Sequence, residues 1–201
     1  MDDYTEPIRA LEAGRAIIMP TDTVYGLAVM PGIPGAIEEL FRIKGRSEEK
    51  PVAILGSTMR GLSGVASFDE RARAVADRFW PGPLTMVLPR APGFSAPLGP
   101  PSARGVGVRV PAFGPALELL GLAGALAVSS ANLSGEPPAS TVDEAKATFE
   151  DHVDVYVDGG TCSGRPSSVV SMLDDVELLR PGPVSIESIR DLLGTMGAEA
   201  S

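Results

Sequence analysis

Seven short motifs hold the residues of this chain that are able to do chemistry. They are PTDTVYGL at 20–27, KGR at 44–46, WPGPLT at 80–85, GVGVRVP at 105–111, SSANLSG at 129–135, RPSSVV at 165–170 and RPGPVS at 180–185. Each adjoins an apolar run, and strand ends are where α/β proteins place their ligands. Lys44 and Arg46, separated by one glycine, can grip phosphate oxygens, the Arg by its fork and the Lys as a point charge. The same residues also suit a helix C-terminus, which favours cations and stops at glycine. Ser130 and Asn132, with the amides of a Gly-containing turn, make a phosphate nest, a magnesium-facing set or a plain polar turn. They lack the spacing and lysine of a P-loop. Thr21 and Thr23 offer hydroxyls to a small zwitterion, or stabilise an ordinary turn. Arg109 interrupts an apolar strand, and a charge there needs a partner: a carboxylate ligand, or a structural Asp or Glu. Arg180 carries the same ambiguity.

Acid–base machinery is missing beside these motifs. His152, the one histidine, lies in an acidic loop and reads as a surface residue. Cys162, the one cysteine, sits among glycines and reads as structural, and Trp80 reads as packing at a helix end. No Ser-His-Asp, Cys-His or zinc spacing is present. A single cysteine forbids an internal disulfide and fits a reducing cytosol. The net charge of -9 argues against tight non-specific binding of nucleic acid. Yet Lys44, Arg46, Lys50, Arg109, Arg165 and Arg180 all fall in or beside the motifs, which on an acidic background points to a focused anion site. The charged N-terminus lacks the apolar core of a signal peptide, and no apolar run is long enough for a membrane helix. The expected location is the cytoplasm, with no membrane contact.

The elements that must position these motifs follow from periodicity and caps. Residues 5–13 read as a helix capped by Thr5 and stopped by Gly14, and 16–19 as a buried strand broken by Pro20. Ile37, Leu40 and Phe41 at helical spacing give a helix over 35–43 that delivers KGR. A second helix spans 69–79 with Asp69 as cap, and a third 113–121. Thr141 and Glu144 form a capping box for a helix to about 149. Ser185 caps a last helix ending at Gly194. Strands are expected at 52–55, 85–89, 106–110 and 126–130, then within VDVYVD, SVVSML and VELL, with a Pro/Gly/Ser-rich loop over 90–104. Helices alternating with strands early and strands clustering late predict an α/β sheet of mixed direction with flanking helices. No repeat or long linker divides the chain, so residues 1–201 are read as a single domain with a flexible tail at 195–201.

In this order and spacing the motifs resemble the YrdC-like family of threonylcarbamoyl-AMP synthases, over about residues 16–184, in its short form. The resemblance implies a twisted α/β fold with a large cation-lined cavity. It implies a nucleotidyltransferase that makes threonylcarbamoyl-AMP and pyrophosphate from L-threonine, bicarbonate (or carbon dioxide) and ATP, with Mg2+ accompanying the ATP. A separate threonylcarbamoyl transferase complex would then modify tRNA. By resemblance, Thr23 contacts threonine, with Thr21 and Tyr25 shaping the pocket, Arg109 clamps the carboxylate, and Val128 and Ser167 lie on the threonine side. Lys44 and Arg46 hold the ATP phosphates and carry catalysis. Lys50, Ser130, Asn132 and Arg180 complete the ATP side, and Ser130 and Asn132 face the metal through phosphates.

Departures from the family pattern stand at Lys50, Leu55, Gly105 and Pro138, where many relatives carry Asn, His, Thr and Ser, and at Pro166 and Ser171 in place of acidic residues. They touch threonine selectivity and adenosine contacts rather than the phosphate set. Three other functions fit related sequences: a nucleotide-binding paralogue of the YciO type, a module making a weak contact with tRNA or double-stranded RNA, and a carbamoyl-AMP-forming enzyme.

Overall fold

Local capping decides where several helices begin. The Asp69 carboxylate accepts the Ala72 N–H at 2.7 Å and opens a helix over Glu70–Phe79. Thr141 and Glu144 close a reciprocal capping box ahead of Val142–Phe149, and Ser185 Oγ accepts the Ser188 N–H at 3.1 Å ahead of the last helix. The computed structural model describes residues 3–45, 47, 50–100 and 102–199. In chain order the elements are α1 (Thr5–Glu12), β1 (Ile17–Met19), β2 (Gly26–Val29), α2 (Ala36–Lys44), β3 (Ala53–Leu55), α3 (Met59–Leu62), α4 (Glu70–Phe79), β4 (Leu84–Pro89) and β5 (Gly105–Arg109). They continue with α5 (Gly114–Ala123), β6 (Leu126–Ser130), α6 (Val142–Phe149), β7 (Val155–Tyr156), β8 (Ser168–Ser171), β9 (Glu177–Arg180) and α7 (Ile186–Glu199).

The described strands form one sheet in the order β7-β1-β2-β6-β3-β5-β4-β8-β9. The β7/β1, β3/β5 and β4/β8 pairs are parallel and the others antiparallel, which is the expected mixed direction. Successive residues of a strand face opposite sides, and the two sides have different fates. On one, Leu27, Ile54, Met86, Val108, Ala127 and Val170 pack with apolar residues of α2, α4, α6 and α7 in one continuous core. Full burial of each such side chain is worth roughly 1.5–3 kcal/mol, so this covered face holds the sheet together. On the other side, Ile17, Met19, Ala28 and Leu126 pack under α1 and α5. That second layer reaches from β7 to β3, where Leu55 joins it and Ala53 packs at its edge. Past it, Gly107, Thr85 and Val169 form the floor of a cavity rather than a packed core.

Several boundaries differ from the sequence reading. Tyr4, not Thr5, holds the N-cap position of α1, without a side-chain cap bond. β2 lies inside the PTDTVYGL motif, where Gly26 directly follows the turn residues. Only Val155–Tyr156 of VDVYVD pairs, because β7 meets β1 alone and borders no further strand. The last helix runs through Gly194 to Glu199, so 195–199 is helical. A glycine inside a helix costs only about 1 kcal/mol, less than the packing of Ile189, Leu192 and Leu193 upstream contributes. The 90–104 segment is tied down within its length: Arg90 donates to the Ala96 carbonyl at 2.8 Å, and the Leu98 carbonyl accepts the Val52 N–H at 2.7 Å. Among the described residues, no helix is long and apolar enough to cross a membrane.

Candidate active site

The uncovered face of the sheet lines a cavity of about 520 Å³. Motif residues from six strands and their loops reach it because period-two alternation puts them on the same side. Thr21, Thr23, Tyr25, Arg109, Val128, Ser130, Asn132, Ser167 and Arg180 all line it. Lys44 stands behind the wall, 1% exposed. Lys50 is exposed, next to the lining residue Pro51. Arg46 lies outside the described residues. His152 is exposed, and the Trp80 indole donates to the Leu84 carbonyl at 2.7 Å and meets Phe68 edge-on.

Arg109 is the centre of the first cluster. It is 5% exposed, and each of its three nitrogens has a protein acceptor. Nε donates to the Gly82 carbonyl at 3.0 Å, Nη1 to Thr23 Oγ1 at 2.9 Å, and Nη2 to the Asp22 carboxylate in a short ion pair. Burial lowers the guanidinium's pKa, and the Asp22 charge opposes that shift. Asp22 is therefore the structural acid that the buried charge requires. The sequence reading left it open between such an acid and a ligand; the only hint was its place as the one acid in a strand-end motif. Five N–H groups minus three bonds leave two for a carboxylate in the cavity.

The two threonines of the motif have separate tasks. Thr21 Oγ1 donates its proton to the Val24 carbonyl at 2.6 Å and accepts the N–H groups of Thr23 and Val24. With its proton and both lone pairs in use, the 3.0 Å contact between the two hydroxyls adds only a shared, three-centre interaction. Thr23 Oγ1 accepts from Arg109 and keeps one lone pair for an amine or hydroxyl. The Tyr25 ring lines the cavity while its hydroxyl is used elsewhere. It donates to the Gly160 carbonyl at 2.8 Å and accepts the Gly159 N–H at 3.1 Å. Burial pushes its pKa up to about 12. The Gly164 N–H and Ser163 hydroxyl both bond the Thr23 carbonyl, so the 158–164 loop straps the threonine turn in place. Cys162 belongs to this strap; burial raises its thiol pKa, which suits a structural thiol.

A second cluster sits at the end of β6. Lys44 Nζ donates to the Ser130 carbonyl at 2.5 Å and approaches Ser130 Oγ at 3.3 Å and Asn132 Oδ1 at 3.4 Å. Asn132 also donates to the Leu133 and Glu136 carbonyls, which fixes the turn. Gly45 adopts a left-handed backbone and ends α2, so KGR serves as a helix cap and also aims its lysine at this loop. Ser130 Oγ donates to Asn132 Oδ1 at 2.6 Å, so the buried Lys44 charge, rather than a free donor of the loop, is what favours an anion here and disfavours direct ligation of a metal ion. No group of three or more His, Cys, Asp or Glu among the described residues could hold a metal.

The third cluster joins β8 and β9. Arg180 Nε and Nη2 donate to the Ser167 carbonyl at 3.1 and 2.9 Å, and Nη2 reaches Ser167 Oγ at 3.0 Å. Arg180 is exposed as a whole residue, yet its guanidinium is tucked against Ser167, and the partial loss of water there lowers its pKa. Nη1 makes none of these bonds, and the residue lines the cavity. Thr85 Oγ1 completes the cluster, 2.9 Å from Ser167 Oγ.

A family model for the Sua5/YciO/YrdC domain, described as telomere recombination, matches residues 9–182. A Mycobacterium tuberculosis protein provisionally named threonylcarbamoyl-AMP synthase is 39% identical over 195 residues, covering 95% of this chain and 89% of its own. The threonylcarbamoyl-AMP synthase of Bacillus subtilis is 34% identical over 92% of this chain and 54% of its own length. The Pyrococcus abyssi Sua5 structure complexed with L-threonine superposes with a TM-score of 0.85 at 32% identity, over 94% of this chain and 56% of that one.

Proposed function

The chain belongs to the Sua5/YciO/YrdC family, and from that premise we propose that it is a threonylcarbamoyl-AMP synthase acting on L-threonine, bicarbonate and ATP in tRNA modification. One observation carries the assignment to this cavity. Three clusters, one suited to the threonine carboxylate and two to the ATP phosphates, open onto a single hollow on the uncovered face of the sheet.

Arg109 has two N–H groups for the threonine carboxylate, and Thr23 has a lone pair for its amine or hydroxyl. Ser130 and Asn132, with the Lys44 charge behind them, receive ATP phosphates, and Arg180 approaches the same anion from β9. Mg2+ comes with ATP and stays on its phosphates. Lys50 directly precedes the lining residue Pro51, and by the family resemblance it and Arg46 join the ATP side.

The chemistry asks little of side-chain acids and bases. The threonine amine adds to carbon dioxide derived from bicarbonate, giving a carbamate and releasing a proton. A carbamate oxygen then attacks the α-phosphorus, and pyrophosphate leaves. Alignment of the two substrates and neutralisation of the phosphate charge supply the catalysis. The labile product passes to a threonylcarbamoyl transferase.

The test is pyrophosphate release from ATP with and without L-threonine and bicarbonate, with the adenylate identified by mass spectrometry. Release that needs both co-substrates is the expected result. Release with carbamoyl phosphate in place of threonine, or no turnover together with salt-sensitive RNA retention, would refute the assignment.

A further inference from the structure

The WPGPLT motif ends on Thr85, a buried residue that the reading above does not use. Thr85 lines the cavity from β4 and its hydroxyl meets Ser167 Oγ at 2.9 Å. The antiparallel register of β4 and β5 pairs Met86 with Val108. One step further sets Thr85 opposite Arg109, on the same face of the sheet. Thr85 therefore neighbours Arg109 across the strand pair and is bonded to Ser167.

The protons of this pair can be counted. Ser167 Oγ accepts one bond from Arg180 Nη2 and shares one with Thr85, and among the described residues no other bond to either hydroxyl is found. Two hydroxyls own two protons, and their mutual bond uses one. Whichever residue donates, one O–H is left without an acceptor in the protein. If Thr85 donates, the two lone pairs of Ser167 Oγ are filled and its proton must point elsewhere; if Ser167 donates, the free proton is that of Thr85. Both residues border the cavity that Arg109 also lines. A buried hydroxyl proton with no acceptor is costly, and an anionic oxygen in the cavity satisfies it.

We infer that Thr85 is a positioning residue for the amino-acid substrate: with Ser167 it forms a hydroxyl pair that delivers one proton to the α-carboxylate held by Arg109. The inference rests on the function proposed above. Its distinguishing consequence is that removal of the Thr85 hydroxyl weakens threonine far more than ATP, because Arg180 keeps both its bonds to the Ser167 carbonyl and Ser130 and Asn132 lie on another strand and its loop.

The experiment compares wild type, Thr85→Val and Thr85→Ser by pyrophosphate release, with KM measured separately for L-threonine and for ATP, and by calorimetric binding of L-threonine alone. Thr85→Val keeps the volume and removes the hydroxyl. It should raise KM and Kd for L-threonine about tenfold or more, the effect of losing one buried hydrogen bond to a charged group. Its KM for ATP should stay within about threefold of wild type, and Thr85→Ser should restore threonine binding to within about threefold. An unchanged threonine KM in Thr85→Val, an equal rise in both constants, or failure of Thr85→Ser to rescue overturns the inference while the proposed function stands. Absence of threonine-dependent turnover in the wild type overturns the function, and this inference with it.

Discussion

The Lys44 ammonium lies 2.5 Å from the main-chain carbonyl of Ser130, so a cation from the end of one helix braces the last residue of a strand 86 positions later. The Ser134 N–H returns a bond to the Lys44 carbonyl at 3.2 Å. Helix end and loop are thus clasped from both sides, and the cavity sees Ser130 and Asn132 with a positive charge beneath them.

Lys44→Met should expose what this clasp does. The stem keeps its bulk, and the Ser130 carbonyl loses its charged donor. An acceptor left unsatisfied in the interior costs about 1–3 kcal/mol, which thermal unfolding will register. Removing a positioned cation from a reacting phosphate group should also cut pyrophosphate release about a hundredfold or more. Near-wild-type turnover would show that the ammonium has no part in the reaction.

Asp22→Ala leaves the Arg109 guanidinium buried without its carboxylate. Breaking such a pair from one side costs about 3–5 kcal/mol, so urea unfolding should shift accordingly, and Asp22→Asn should lose less because an acceptor oxygen remains. A carboxylate ligand binds only the folded state and would replace the missing charge. L-threonine should therefore raise the melting temperature of Asp22→Ala by more than that of the wild type. An equal rise in both would place the carboxylate elsewhere.

Tyr25 offers a pH signature. Its folded-state pKa is about 12, against 10.0 for the free side chain. Above pH 10 the unfolded chain ionises first, so the stability that the protonated Tyr25 contributes is complete below pH 10 and is lost as pH rises toward 12. Tyr25→Phe also loses the bonds to Gly159 and Gly160 and should be less stable than wild type at neutral pH. Because phenylalanine does not titrate, the gap between the two proteins should narrow between pH 10 and 12. A constant gap in unfolding free energy across that range would refute the assignment.

Much of this site was readable before any coordinates, for a physical reason. Caps and strand-end motifs are local: Asp69, Thr141 and LAVSS at 126–130 act within a few residues of themselves. Partnerships between distant segments were not readable. Nothing near Arg109 in sequence names Asp22, 87 residues earlier, as its counter-charge. Likewise, nothing near Thr85 points to Ser167, 82 residues later. Thr21 was legible as either a ligand contact or a turn residue, and only hydrogen-bond accounting finds its proton and lone pairs used by its own turn. Gly194 looked like a helix stop, and packing upstream carried the helix past it.

The RPGP turn makes the last prediction. A Cβ on Gly182 would lie 2.6 Å from the Ser167 carbonyl carbon and 2.8 Å from Ser168 Cα, both main-chain atoms that cannot rotate away. The glycine lets the turn after β9 press directly on β8. Ser168 Oγ there donates to the Val184 carbonyl at 2.6 Å and accepts the Val184 N–H at 3.0 Å. Two residues before the glycine, Arg180 reaches back to Ser167. Gly182→Ala must push the turn off the strand and carry Arg180 with it. Overpacking of this kind costs about 1–3 kcal/mol, and the loss of Arg180 from the cavity wall should raise KM for ATP about tenfold or more. Gly194→Ala is the control. It lies inside α7 with nothing within 4 Å of the added carbon, so it should gain about 0.5–1 kcal/mol from helix propensity and leave KM unchanged. If Gly182→Ala behaves like this control in both unfolding and kinetics, close contact at the turn is not what holds Arg180 over the cavity.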